Sequence, residues 1–292
     1  MRVRYSFSSR MTGRARLVHT NQHRVAVPKI IVEVIKKSDI VLEILDARFI
    51  DATRNSEVEN IIKSGGKKII FVINKSDLVD EEKLKNEIKE KKIFPYAIIS
   101  CLKRAGSRDL RERIKIEVNK MKIFDMHKIA YVGIVGYPNT GKSSLINFLT
   151  GSSAAATSSV AGYTKGIKKI KLTKDILLLD SPGVIPPQED SQVQTDLEMQ
   201  MKHTKINVKT FDKVKDPDLI VQNLLNEYRG LLEKFYNIDA EGDAEILLET
   251  LGKRNNFLKK GNVVDIDRTA RLVIKDWQQG RIRQSPIKSQ DI

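Results

Sequence analysis

Three short segments combine residue types and spacings that can do chemistry. Gly136-Tyr137-Pro138-Asn139-Thr140-Gly141-Lys142-Ser143 fits the pattern G-x-x-x-x-G-K-[ST]. Glycines let such a backbone curl so that its N–H groups face phosphate oxygens. A following helix, here opened by Lys142, Ser143 and Ser144, adds its positive end. Asn139, Thr140 and Gly141 complete the loop. Lys142 then reaches β and γ phosphates, and the Ser143 hydroxyl takes a place on Mg2+. Asp180-Ser181-Pro182-Gly183 follows an apolar run about forty positions later. Its carboxylate is a direct or indirect partner for the same metal, and the Gly183 amide is placed to meet a γ-phosphate. Between the two lies Ser158–Gly166, small and polar, a loop of the kind that phosphate and metal order. Thr164 is the expected second hydroxyl on the metal, with Thr157 as its competitor. Lys142, Thr164 and Gly183 are therefore the candidate catalytic residues, and Ser143, Thr164 and Asp180 the candidate metal ligands.

The third segment is Asn74-Lys75-Ser76-Asp77, after the run Ile69–Ile73. A carboxylate at Asp77 can accept from guanine N1–H and the 2-amino group; adenine offers neither donor there. The wrong base would leave a buried charge unpaired, which makes such a pair selective. Asn74 is suited either to the N7/O6 edge of the base or to bracing the phosphate loop, and the Lys75 stem to the ring face. Ser76 and Asp77 would also serve as ordinary helix caps. Ser100-Cys101 ends the next apolar run and offers a backbone N–H to the base O6. The Cys101 thiol itself is expected to be a buried, inert small hydrophobe.

These segments need strands and helices to position them. Apolar runs at Ile40–Leu45, Ile69–Ile73, Tyr96–Ile99, Ile129–Val135, Ile167–Leu172 and Ile176–Leu179 read as strands. Amphipathic patterns at Glu57–Lys63, Glu81–Lys91, Leu110–Val118 and Lys142–Leu149 read as helices between them. Continuous apolar strands alternating with helices predict a doubly wound α/β fold, a parallel sheet covered on both faces. After Pro186-Pro187 the polar, acidic stretch Gln188–Gln200 reads as a linker. Beyond it only helical patterns recur, at Asp218–Phe235, Ala244–Leu251 and Asp267–Gln278, with Trp277 as a core anchor. The expected organisation is a basic extension over 1–28, a nucleotide-binding unit over 29–187, a linker or switch region over 188–202, a smaller all-α unit over 203–280 and a tail over 281–292.

The chain carries 52 Lys and Arg against 37 Asp and Glu, a net charge of +15, with a pI near 9.7. Arg2, Arg4, Arg10, Arg14, Arg16, Arg24 and Lys29 lie in the first 29 residues without one Asp or Glu. Such an arm suits a phosphate-rich partner, because bound cations release counterions; a transit peptide or a solvated tail has the same composition. No apolar run reaches the roughly 18 residues of a membrane span. The single cysteine excludes an intramolecular disulfide and fits a reducing cytosol. His19, His23, His127 and His203 share no metal-ligand spacing.

The order of the motifs is unusual: the guanine segment precedes the phosphate loop. Order and motifs together resemble the circularly permuted GTPases of the YlqF/RbgA type, which act in assembly of the large ribosomal subunit. Asp46-Ala47-Arg48 with Arg54-Asn55 is similar to that family's D-A-R…R-N segment, and Asp180-Ser181-Pro182-Gly183-Val184 to its D-T-P-G-hydrophobic segment. Leu248–Arg271 resembles its helical C-terminal region. Ala161-Gly162 stands for the usual Pro-Gly, and Ser100-Cys101 for Ser-Ala. The resemblance covers about Lys29 to Gly280. It implies a P-loop GTPase fold, GTP/GDP as ligands, Mg2+ as cofactor, K+ near the phosphates beside Asn139, and a pre-ribosomal large subunit with rRNA as partner. It further implies a cytoplasmic monomer with no membrane association. Val184 stands where Ras-like proteins carry a water-orienting Gln, which implies slow, partner-stimulated hydrolysis. A GTP-gated RNA- or protein-binding adaptor, or a GTPase of another basic-partner task, is the competing reading.

Overall fold

The computed structural model describes residues 27–121, 129–151, 167–181, 204 and 211–283. Its centre is a six-stranded sheet built from β1 (Ile40–Asp46), β2 (Lys68–Asn74), β3 (Tyr96–Ile98), β4 (Ala130–Gly136), β5 (Lys168–Lys171) and β6 (Ile176–Asp180), in the spatial order β3-β2-β1-β4-β6-β5. All neighbours are parallel except β5, which runs antiparallel to β6 at the edge. The expected parallel sheet is thus parallel-dominated. β5 reads KKIK, with three of its four residues exposed, as an edge strand allows.

Period-two alternation explains how the sheet is covered. Ile40, Leu42 and Ile44 of β1 share one hydrophobic cluster with Leu110, Ile114 and Val118 of α5 (Ser107–Lys120) and Leu145, Ile146 and Leu149 of α6 (Lys142–Thr150). Val41 and Leu45 face the other way. There they meet α1 (Lys29–Lys37) and α3 (Ser56–Ser64) in one cluster and α4 (Glu81–Glu90) in another. A one-turn α2 (Ile50–Thr53) leads into α3. Helices therefore lie on both faces, the doubly wound arrangement. The strand order reverses direction at β1 and β4, and ligands of such sheets bind outside the carboxyl ends of the strands at that reversal.

The C-terminal part consists of α7 (Pro217–Glu227), α8 (Leu231–Tyr236), α9 (Ala244–Arg254) and α10 (Ile266–Gln278). Two corrections arise here. The pattern Asp218–Phe235 is two helices, because Gly230 adopts a left-handed φ of 72° and ends the run. The region is also not purely helical: Leu258–Lys259 (β7) and Val263–Val264 (β8) pair as an antiparallel hairpin. Gly261 and Asn262 take φ of 89° and 62° at its turn, a Gly-Asn hairpin signal hidden by strands of only two residues. Trp277 is the expected anchor, 1% exposed in a cluster with Leu224, Leu248 and Val273. That cluster also takes in Phe49, beyond β1, and Tyr137 of the phosphate loop.

One carboxyl group lies in the middle of the sheet. Glu43 of β1 is fully buried, and its Oε1 accepts the Asn55 N–H at 2.9 Å. Burial pushes this carboxyl up from 4.5 to about 8, against the pull of the Asn55 hydrogen bond. Between those two values the folded chain keeps a proton that the unfolded chain has lost, so stability falls as pH rises through that window. Glu43→Gln, which is neutral at every pH, should remove this component. Denaturant midpoints should show wild type losing ground to the variant progressively from about pH 5 to pH 8.

Candidate functional site

The carboxyl ends of β1, β2, β4 and β6 bring Asp46, Asn74, Gly136 and Asp180 to one rim of the sheet. After β4 the chain turns through residues 137–141 into α6. Gly136 has φ 149°, and a Cβ there would stand 2.7 Å from the Ile44 carbonyl oxygen; only glycine lets the loop leave β4 this close to β1. Asn139 takes φ 60° and Gly141 φ 105°. The Thr140 hydroxyl donates to the Tyr137 carbonyl at 2.9 Å. Lys142 is 8% exposed, and its ammonium folds back onto the carbonyls of Gly136 (3.0 Å) and Tyr137 (2.6 Å). The loop thus supplies its own acceptors to the cation that a phosphate would otherwise hold. Burial lowers the Lys142 pKa to about 8, with the Asp180 carboxylate opposing.

The segment expected to read the base is locked to this loop. The Asn74 side chain donates from Nδ2 to the Thr140 carbonyl at 2.8 Å, and its Oδ1 accepts the Cys101 N–H at 3.2 Å. Of the two roles open to Asn74 in the sequence, the structure places it as the brace. The Cys101 N–H, expected to serve a base oxygen, is engaged by Asn74 here. Asp77 lies in a short 3-10 turn, Ser76–Leu78, where its Oδ1 accepts the Ser100 hydroxyl at 2.5 Å. Ser100 in turn accepts the Lys103 N–H at 3.0 Å. The Cys101 thiol is pushed up to about 12, chiefly by burial and further by the Asp77 charge, so it stays protonated and unreactive.

Asp46 forms the densest charge cluster. Its carboxylate takes a fork from Arg48 (Nε 3.0 Å, Nη2 2.8 Å) and the Lys75 ammonium at 2.7 Å. Burial alone would raise the Asp46 pKa, but the two cations reverse that and hold it well below the usual carboxylate range. Lys75 is lowered by burial, against the pull of Asp46.

Asp180 closes the set. Its carboxyl is raised by burial, with Lys142 opposing, and its Oδ1 is buried without a hydrogen-bond partner. An orphaned carboxylate oxygen beside a hydroxyl-bearing helix start is an oxygen donor set suited to a hard cation such as Mg2+. Among the described residues no cluster of three or more His, Cys, Asp and Glu exists, so a metal here would lean on hydroxyl, phosphate and water oxygens.

A cavity of about 590 Å3 runs between the Asn74–Asp77 segment and the loop that opens α6, lined by Asn74, Lys75, Asp77, Cys101, Asn139, Gly141 and Ser144. Ser143 sits in the first turn of α6. Thr157, Thr164, Gly183 and Val184 lie outside the described residues, as do residues 1–26 of the basic arm and all four histidines. The sequence reading did not foresee Arg104, Phe148, Gln278 and Gln279 in the cavity wall. The last two come from the end of α10, far along the chain, and no local pattern announces them. Asp46 carried a readable sign, an Asp at the carboxyl end of an apolar strand, the same sign that marked Asp180.

Residues 131–249 match the family described as 50S ribosome-binding GTPase. The chain is similar to a GTP-binding protein of Methanocaldococcus jannaschii, 38% identical over 263 residues that cover 89% of this chain and 66% of that one. It is also similar to the GTPase grn1 of Schizosaccharomyces pombe, 30% identical over 298 residues, covering 91% and 62%. The chain spans about two thirds of the length of these curated relatives, or less. Among solved structures it is similar in fold to GNP-bound YlqF from T. maritima, with a TM-score of 0.59 and 24% identity over 87% of this chain and 94% of that one.

The contact between Asn74 and the phosphate loop gives a direct test of this geometry. A Cβ at Gly141 would stand 2.2 Å from Asn74 Nδ2, on a backbone already at φ 105°. Gly141→Ala should cost roughly 2–4 kcal/mol, from left-handed strain and the loss of a buried hydrogen bond. Asn74→Ala relieves the clash, so in denaturant titrations the double variant should be less destabilised than the sum of the singles.

Proposed function

The chain belongs to the GTPase family matched by residues 131–249, in its circularly permuted form, and on that premise we propose that it binds GTP, hydrolyses it to GDP and phosphate, and acts in assembly of the large ribosomal subunit. One contact carries the nucleotide part of this reading: the bond from Asn74 to Thr140 seals the base-reading segment to the phosphate loop, making one pocket of two motifs 66 positions apart. Asp77, steadied by Ser100, accepts the guanine N1–H and 2-amino protons. Lys142 leaves the Gly136 and Tyr137 carbonyls for the β and γ phosphates. Loop N–H groups from Asn139 to Ser143 hold the phosphate oxygens, with Ser144 at the rim. Ser143, Asp180 and Thr164 are the residues that would hold Mg2+, and the ion would supply positive charge to the transferring phosphoryl group. Gly183 would meet the γ-phosphate, and K+ held with the help of Asn139 would add charge that an arginine finger supplies elsewhere. Val184 cannot orient water, so hydrolysis is slow until a partner orders the switch segments.

The ribosomal part rests on the family description and on the basic arm over 1–28, which suits rRNA phosphates. The nucleotide unit over 29–187, the switch linker over 188–202 and the helical unit over 203–280 then form a cytoplasmic monomer whose linker passes γ-phosphate loss to the helices. Among the described residues no helix is long and apolar enough to cross a membrane.

Asp77→Asn should weaken GTP binding by roughly 100-fold or more and improve xanthine nucleotides, because the amide can donate to the 2-oxo group. Lys142→Ala or Ser143→Ala should abolish turnover with unchanged circular dichroism. ATP competing as well as GTP against wild type would refute the guanine assignment. For the partner, phosphate release is measured with and without purified large subunits across a salt series. Stimulation should fall with a log–log slope of about −0.7 to −0.9 per phosphate contact. It should weaken when Arg10, Arg14 and Arg16 are neutralised together, without change in nucleotide affinity. No stimulation by mature or immature subunits favours the adaptor reading.

A further inference from the structure

Asp46 lies outside the guanine, phosphate and metal motifs, yet two distant parts of the chain meet on its carboxylate. We infer that Asp46 is a positioning residue for guanine recognition: it fixes Lys75 at the base site and, through Arg48, fixes the C-terminal end of α10 to the same loop, so that nucleotide release and loosening of the C-terminal helices are linked. The inference rests on the GTPase reading above.

Four observations carry it. The side chains of Asp46 and Arg48 are 1% and 2% exposed, so their ion pair is not a surface ornament. Lys75 holds φ 64° and ψ 32°, a left-handed backbone that an L side chain keeps only when its surroundings over-determine it; its bond to Asp46 is such a determinant. Arg48 spends two donors on Asp46 and a third, Nη1, on the Trp277 carbonyl at 3.2 Å. The helix end carries a negative dipole that a guanidinium complements, and the Trp277 carbonyl also accepts the Gly280 N–H at 3.0 Å. Finally, α10 reaches the guanine segment itself. Gly280 packs so close to Leu78 that a Cβ would stand 2.8 Å from its methyl, and Gln278 and Gln279 line the nucleotide cavity.

The aromatic packing follows the same line. The Trp277 ring is 6.1 Å from Phe49, next in chain to Arg48, and the Arg48 guanidinium lies 4.9 Å over that Phe49 ring. Tyr137 of the phosphate loop belongs to the same cluster. A base that enters against Lys75 acts on an ammonium bound to Asp46. Asp46 is bound to Arg48, and Arg48 to α10. The elements on this path are packed with no slack, so a shift at one end repositions the other.

The test uses the full chain, whose one tryptophan is Trp277. Two quantities are measured: release of a fluorescent GDP analogue by stopped flow, and Trp277 emission during titration with unlabelled GDP. In wild type, GDP should shift the emission. Arg48→Met should speed GDP release about tenfold or more and abolish the Trp277 response, while guanine is still preferred over xanthine through Asp77. Arg48→Lys should restore only part, since lysine cannot fork onto a carboxylate and cap a carbonyl together. Asp46→Asn should behave as Arg48→Met, and the double variant should be no worse than the worse single. If Asp46→Asn fails to fold, judged by circular dichroism, the two Arg48 variants decide. Arg48→Met with wild-type release and a wild-type Trp277 response overturns the inference. Wild type that binds GDP with a silent Trp277 overturns it too, leaving the GTPase reading intact, whereas wild type that binds no guanine nucleotide refutes both.

Discussion

The Asp46 carboxylate, removed from water at the end of the sheet's inner strand β1, has an arginine fork and a lysine ammonium against it. Taking three charges out of solvent is costly, and replacing such groups with apolar ones is often neutral or stabilising. The cluster is therefore better understood as a device of specification than of strength. Its directional bonds decide where Lys75 points, which backbone conformation that residue keeps, and where the last helix ends. An apolar plug would fill the same volume and specify none of these.

The fold supplies the frame for that cluster by adjacency rather than by chain order. β1 lies between β2 and β4, so the strand that carries Asp46 touches both the guanine segment and the phosphate loop. What the site requires is that these carboxyl ends be neighbours; the order in which the ribosome makes them is free. Asn74 then adds a side-chain bridge across that neighbourhood, and Gly136 and Gly141 allow the backbones to come close enough for it.

Much of this was legible in the residues. Strands β1, β2, β4 and β6 declared themselves as predominantly apolar runs, because both faces of each are covered; Glu43 of β1 interrupts the pattern and is met by the Asn55 N–H. The segments expected to meet phosphate and guanine were placed by their patterns at the carboxyl ends of β4 and β2, where the structure has them. The illegible parts share one cause, a dependence on tertiary contact. Helix α1 is rich in Ile and Val, which are weak helix formers, but its apolar residues recur at helical spacing, and Ile31, Val34 and Ile35 find the sheet. The β7–β8 hairpin is too short to show a period. Whether Asn74 braces or reads the base depended on where Thr140 came to rest. That Gln278 and Gln279 wall the cavity follows only from the docking of α10, which local sequence does not encode.

The bond from Arg48 to the Trp277 carbonyl spans 229 positions of chain. Closing so long a loop is entropically late, since local contacts form before distant ones repay their ordering. In synthesis the same order is imposed by direction: β1 and the Asn74–Asp77 segment emerge first, the loop after β4 afterwards, and α10 later still. Until β4 is made, β1 presents an open edge to the cell, and until α10 arrives the base pocket lacks a wall and Arg48 a partner. The molecule thus seals an earlier-made loop with a later-made helix. A chain stalled or cut before Trp277 keeps every recognisable nucleotide motif and still lacks a closed site. The rotated order makes the finished pocket a report that the helical region has been made and docked.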